Sequence, residues 1–147
     1  MKKLKGVISV FALSLCLLSP AQAEEQRYIS IRNMVWVPGN VCVWQFRLDN
    51  GGSGEGFGPL TLSLRLKDKW GNTLAMGNMA VAAFGDSDAT RSQEASLENE
   101  CVENVSSVEI MKATEERNGY QIALPLSVFD PQYYRPVQVT VVGGKAS

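Results

Sequence analysis

Leu60, Leu62, Leu64 and Leu66 alternate with Thr61, Ser63, Arg65 and Lys67. A helix would scatter these leucines around its axis, whereas a strand puts all four on one side and the polar residues on the other. The same period of two runs through much of the chain. In Tyr28–Val37 the odd positions Ile29, Ile31, Val35 and Val37 are apolar, with Asn33 the exception. In Val41–Asp49 the inward set is Cys42, Trp44, Phe46 and Leu48. An inward cysteine beside an inward tryptophan is a frequent core arrangement in sandwich domains. Val108 and Ile110 mark a further strand, Asn118-Gly119 a hairpin turn before Tyr120, Ile122 and Leu124, and Val137, Val139 and Val141 a last one. Between Thr73 and Phe84 the alternation is weaker, with Leu74, Met76 and Met79 expected inward.

One segment breaks the pattern. Leu97, Cys101, Val105 and Val108 are four, four and three apart, and Glu94, Glu98 and Glu100 favour helix, so Ser92–Val105 reads as a short helix or turn. Turn signals separate the strands, among them Pro38-Gly39-Asn40 and the glycine-rich Asn50–Pro59 loop. No Lys-Ser/Thr pair follows that loop, which argues against a phosphate cradle. Seven or eight short strands with at most one short helix predict an all-β fold. It is a two-sheet antiparallel sandwich of the immunoglobulin or fibronectin type III kind, with a small closed barrel as the alternative.

The first 23 residues are of a different character. Lys2, Lys3 and Lys5 precede an apolar run from Val7 to Leu18, and Ala21-Gln22-Ala23 supplies a small-x-small cleavage site. The run is too short for a stable membrane anchor. Leu15 before Cys16 is not the small residue that a lipoprotein signal requires. The expected division is a signal peptide over 1–23 and one domain over 24–147. The protein is then exported through the inner membrane, to be periplasmic or secreted. Loss of the three lysines takes the formal charge from −1 to −4, which disfavours nucleic acid as a partner. Two cysteines remain, Cys42 and Cys101, and an exported chain favours their pairing. Such a ring contributes about 4 kcal/mol in the chain-entropy account.

The inventory of reactive groups points away from catalysis. There is no histidine, hence no usual general base and no imidazole metal ligand. No Ser-x-x-Lys stands in the mature chain. Asp86, Asp88 and Thr90 have calcium-loop spacing, but Arg91 occupies the position where glycine is needed and Leu97 the one where glutamate is needed. Asn104-Val105-Ser106 is a sequon expected to stay unmodified behind a bacterial signal peptide. Catalytic residues, metal ligands and cofactors are therefore expected to be absent. The aromatics suggest binding instead. Trp36 lies beside a turn, Trp70 in one, Phe57 in the glycine loop, and Tyr133-Tyr134 between prolines. Exposed aromatics of this kind are enriched at protein–protein hot spots, and they are the candidate contact residues.

The stretch Trp36–Trp44 (Trp-Val-Pro-Gly-Asn-Val-Cys-Val-Trp), the Gly51–Pro59 loop and the Tyr133–Val142 tail resemble the interleukin receptor mimic proteins secreted by pathogenic enterobacteria. The likeness extends over the full chain and is general; it carries no catalytic fingerprint and no binding-residue motif. It implies a fibronectin type III-like fold, a domain-swapped homodimer, and host cytokines (interleukin-2, -4 and -10) as partners. Residue chemistry alone leaves two other classes open. One is an adhesin or structural surface module that works by strand addition. The other is a periplasmic inhibitor or carbohydrate-binding module that uses its tryptophans for stacking.

Overall fold

The computed structural model describes residues 27–37, 41–132 and 137–143, with side chains for all of these except 35–37 and 41. Residues 1–23, expected to be a signal peptide, and Tyr133-Tyr134 lie outside the described residues. The strands are β1 (Ile29–Val37), β2 (Val41–Asp49), β3 (Leu60–Lys67), β4 (Thr73–Val81), β5 (Ser92–Glu100), β6 (Ser107–Arg117), β7 (Tyr120–Ala123), β8 (Phe129–Pro131) and β9 (Gln138–Val141). One sheet has the order β5-β2-β1-β8; the other is β4-β3-β6-β7, with β9 also paired to β6. In connectivity these are the E-B-A and C′-C-F-G sets of an immunoglobulin-like sandwich. The all-β sandwich is thus the fold observed.

Two pairings depart from the antiparallel expectation. β8 runs parallel to β1, and β9 parallel to β6. The cause lies after β7. The Leu124 N–H still bonds the Ala113 carbonyl, but Pro125 has no N–H to continue the ladder. The chain leaves β6 through a 3₁₀ turn at Leu126–Val128 and joins β1 instead. β9 later covers Ser107–Ile110, the part of β6 that β7 leaves open.

The β3 leucines behave as their spacing dictates: all four are buried, together with Trp44, Phe46 and Leu48 of β2, in one cluster between the sheets. Burial of each such side chain is worth about 1.5–3 kcal/mol. Elsewhere single-residue bulges change which parity points inward. Asn33 pairs with Phe46 but Val35 with Gln45, leaving Met34 extra. Asn33 itself is buried and donates from Nδ2 to the Gln45 carbonyl at 3.1 Å. In β4, Leu66 pairs with Ala75 and Lys67 with Thr73, leaving Leu74 extra. Met79 and Val81 therefore face the core, and Met76, expected inward, is 60% exposed. In β6 the extra residue is Met111, so the inward set is Val108 and Ile110 before it, and Ala113 and Glu115 after it.

The short helix or turn expected over Ser92–Val105 is replaced over most of its length by a strand. Ser92–Glu100 is β5, paired with β2 along all nine residues from Asp49 to Val41. Ala95 and Leu97 face the core, and Glu94, Ser96 and Glu98 face outward. The helical preference of the glutamates is a few tenths of a kcal/mol each, and a complete ladder with two core contacts outweighs it.

Glu115, on the core side of β6, is almost completely buried. Arg27 meets it with two hydrogen bonds, Nη1 to Oε1 at 2.7 Å and Nη2 to Oε2 at 2.8 Å. The Gly58 N–H donates to Oε2 at 2.9 Å, and Arg27 Nη2 also donates to the Gly56 carbonyl at 3.0 Å. Burial pushes the Glu115 carboxyl up, but the Arg27 hydrogen bonds, the Gly58 N–H and the nearby Arg27 and Arg117 charges together hold it below the usual range. A carboxyl depressed in the fold contributes its stability above the unfolded pKa and loses it as pH falls through the folded one. Arg27→Met is expected to cost about 3 kcal/mol in urea unfolding at neutral pH, because it strands a buried carboxylate. The wild-type stability is expected to be level above about pH 5 and to fall below about pH 4, and Glu115→Gln to flatten that acid limb.

Candidate interaction surface

The glycine-rich loop is an ordered clasp. Asn50 is buried; its Nδ2 donates to the Glu55 carbonyl at 3.0 Å and the Gly85 carbonyl at 3.1 Å, and its Oδ1 accepts the Gly52 N–H at 2.8 Å. Phe57 and Phe84 exchange backbone hydrogen bonds of 2.7 and 3.1 Å, and their rings stack at 5.3 Å. The Arg27 guanidinium lies 4.1 Å from the centroid of the Phe57 ring. Gly58 has no room for a side chain, since a Cβ would stand 2.1 Å from the Glu116 carbonyl oxygen. Phe57, expected at the surface, is thus 3% exposed and belongs to the core. It is withdrawn as a contact residue.

Trp70 has the opposite fate. Asp68 Oδ1 accepts the backbone N–H groups of Trp70 and Asn72, both at 2.9 Å, and its Oδ2 accepts Asn72 Nδ2 at 3.0 Å. Slight desolvation pushes this carboxyl up, but the Asn72, Trp70 and Gly71 donors hold it below its ordinary range. Gly71 adopts a positive φ of 89°, which the tight turn requires. The turn presents Trp70 at 72% exposure, with Lys69 Nζ 4.7 Å from its ring centroid. A turn braced by five hydrogen bonds to and from one aspartate loses little entropy on binding.

Cys42 and Cys101 are bridged, with Cα atoms 4.9 Å apart. Cys42 is buried and Cys101 exposed. The bridge joins neighbouring strands of one sheet, so it staples the end of the edge strand β5 and does not tie the two sheets together. The segment after it reaches the Trp70 turn, because the Ser106 N–H donates to the Lys67 carbonyl at 2.7 Å. β1 ends at this same end of the sandwich, with Trp36 in register opposite Trp44. The structure thus assigns Trp36 and Trp70 to the disulfide end and Phe57 to the other. Outward from β4 and β6, Met76, Met111 and Asn78 line a shallow depression of about 540 Å³. The weak period of β4 concealed it. Among the described residues no group of His, Cys, Asp and Glu has the arrangement of a metal site, and no helix is long and apolar enough to cross a membrane.

Residues 29–132 match the family model of IrmA, interleukin receptor mimic protein A. A solved structure of IrmA from Escherichia coli is 65% identical and superposes with a TM-score of 0.70, covering 76% of this chain and 97% of its own. No curated protein sequence matches the chain.

The two aromatics separate cleanly in a thermal-melt comparison. Phe57→Ala is expected to cost about 3–5 kcal/mol as a core truncation. Trp70→Ala is expected to change stability by less than about 0.5 kcal/mol, as a surface residue outside the packing.

Proposed function

We propose a function for this chain from the premise that it belongs to the IrmA, interleukin receptor mimic protein A, family. The mature domain is a secreted, virulence-associated binding protein that engages host interleukins, with interleukin-2, -4 and -10 the candidates its resemblance implies. Recognition is by surface contact without bond-making. The observation that carries the reading is the braced turn at Asp68–Asn72, which holds Trp70 out of the fold at the disulfide end. A rigid, exposed tryptophan is the residue type that most often dominates a protein–protein contact. The Met76–Met111 depression on the adjoining sheet face offers soft, adaptable apolar surface for a second contact. The same proposal includes a homodimer that exchanges strands between chains. In a swapped dimer the contacts of one sandwich are repeated between chains, so the core described above is compatible with it.

Biolayer interferometry of the mature protein against interleukin-2, -4 and -10 is expected to give saturable binding to at least one of them. Trp70→Ala is expected to weaken that binding at least tenfold while preserving the melting temperature. Absence of binding to all three at micromolar concentration contradicts the proposal. Light scattering on the eluting peak is expected to return twice the monomer mass.

A further inference from the structure

The chain holds two Asn-Gly dipeptides, Asn50-Gly51 and Asn118-Gly119, and the fold treats them oppositely. We propose that Asn118 is a site of spontaneous covalent modification, where water converts the side-chain amide to aspartate and isoaspartate, and that isoaspartate releases β7 from the sheet.

The chemistry needs a nucleophile and an electrophile in adjacent residues. The Gly119 backbone nitrogen gives up its proton and bonds to the Asn118 Cγ. The Cγ–Nδ2 bond breaks, and the side-chain nitrogen leaves as ammonia with that proton. One water then opens the resulting cyclic imide. Attack at Cγ breaks its new bond to nitrogen and gives aspartate. Attack at the Asn118 main-chain carbonyl carbon gives isoaspartate, in which the backbone runs through Cβ and Cγ. Nothing is oxidised or reduced, and water is the one co-reactant. A side chain on the following residue crowds the attacking nitrogen, so Asn72-Thr73, Asn78-Met79, Asn99-Glu100 and Asn104-Val105 are poor sites. Glycine, without a Cβ, is the permissive successor.

Geometry separates the two dipeptides. Asn118 and Gly119 form the tip of the β6–β7 hairpin, closed by the Arg117–Tyr120 pair, with φ values of 53° and 82°. Both are exposed, and a Cβ on Gly119 would meet nothing within 4 Å. Among the described residues no hydrogen bond holds the Asn118 amide. At Asn50 both reactants are held. Its Nδ2 donates to the Glu55 and Gly85 carbonyls at 3.0 and 3.1 Å, and its Oδ1 accepts the Gly52 N–H at 2.8 Å. The Gly51 N–H, which would have to attack, donates instead to Asp49 Oδ1 at 2.6 Å. Asn50 is also 1% exposed, so the entry of water and the exit of ammonia are both obstructed.

β7 supplies the freedom that ring closure requires, since the turn must open for the nitrogen to swing toward Cγ. Tyr120–Ala123 pairs with β6 alone, and all four of its residues are exposed. A strand that buries no side chain opens locally at little cost. The product then makes the opening permanent. Isoaspartate adds a carbon to the main chain of a two-residue turn whose primed geometry depends on two consecutive residues of positive φ. The Arg117–Tyr120 pair is lost, and β7 detaches as far as Leu124, which is buried and donates its N–H to the Ala113 carbonyl at 2.9 Å. Thr114–Arg117 of β6 becomes an open sheet edge, the kind of edge that pairs with other chains.

The test is incubation of ¹⁵N-labelled mature protein at body temperature and mildly alkaline pH. Samples are followed by peptide mapping with electron-transfer mass spectrometry and by isoaspartyl methyltransferase labelling. Conversion at Asn118 is expected to be at least about tenfold faster than at Asn50, with isoaspartate the larger product. In urea the two rates are expected to converge, which assigns the difference to the fold. As isoaspartate accumulates, the amide signals of residues 120–123 are expected to move to unfolded positions while those of β2 and β3 stay. Asn118→Gly suits a positive φ and carries no amide, so it is expected to keep the β7 signals unchanged through the same incubation. Equal conversion at both sites in the folded protein, no conversion at Asn118, a rate difference that persists in urea, or isoaspartate at 118 with undisturbed β7 amides would each overturn the proposal.

Discussion

The contact between the β3 leucine row and the Trp44, Phe46 and Leu48 row of β2 is the one on which the other features depend. It is made by central strands of opposite sheets, and every residue in it lies at an alternate position of its strand. Since a slip of one residue would turn a whole row to solvent, the contact also sets the register of both sheets. The disulfide acts downstream of it. By closing the end of β5 it protects an edge that the core alone leaves with fewer contacts, and it holds the Cys101–Ser106 connection against the Trp70 turn.

On the core side of β6 a charge enters the interior at Glu115. The Met111 bulge turns Glu115 toward the core, and a buried carboxylate without a partner would be prohibitive. Arg27 answers it from the start of the described chain, and the Phe57 ring and the glycine clasp complete the cage. An ion pair of this kind is not a large net source of stability compared with apolar residues of the same size. Its effect is positional: it ties the N-terminal segment, the loop before β3 and the end of β6 into a single unit.

Much of the fold was legible because strands with one buried face write themselves as alternation. The leucines of β3 and the Cys42–Leu48 set of β2 were read correctly, as were the Asn118-Gly119 turn, whose φ values of 53° and 82° are those of a primed hairpin, and the cysteine pair. The misreadings share a physical origin. A bulge changes parity without leaving a residue signature, so Met76 was read as inward when Leu74 had already displaced it. β5 is an edge strand whose outward glutamates imitate a helix, and only its ladder with β2 reveals it. Position in a glycine-rich loop suggests an exposed Phe57, yet Gly56 and Gly58 let the backbone approach Asp86 and Glu116 closely and carry the ring into the core. Of the candidate contacts, Trp70 stands exposed, Trp36 is fixed in register, and Tyr133-Tyr134 fall outside the described residues.

A sandwich built this way separates a rigid interior from its turns and outer faces, and native-state hydrogen exchange tests that separation most directly. If the leucine row organises the molecule, the slowest amides will be those of β2, β3 and β6, opening only with global unfolding, while β7 and β8 exchange orders of magnitude faster. Exchange in β3 as rapid as in β7 would contradict the account.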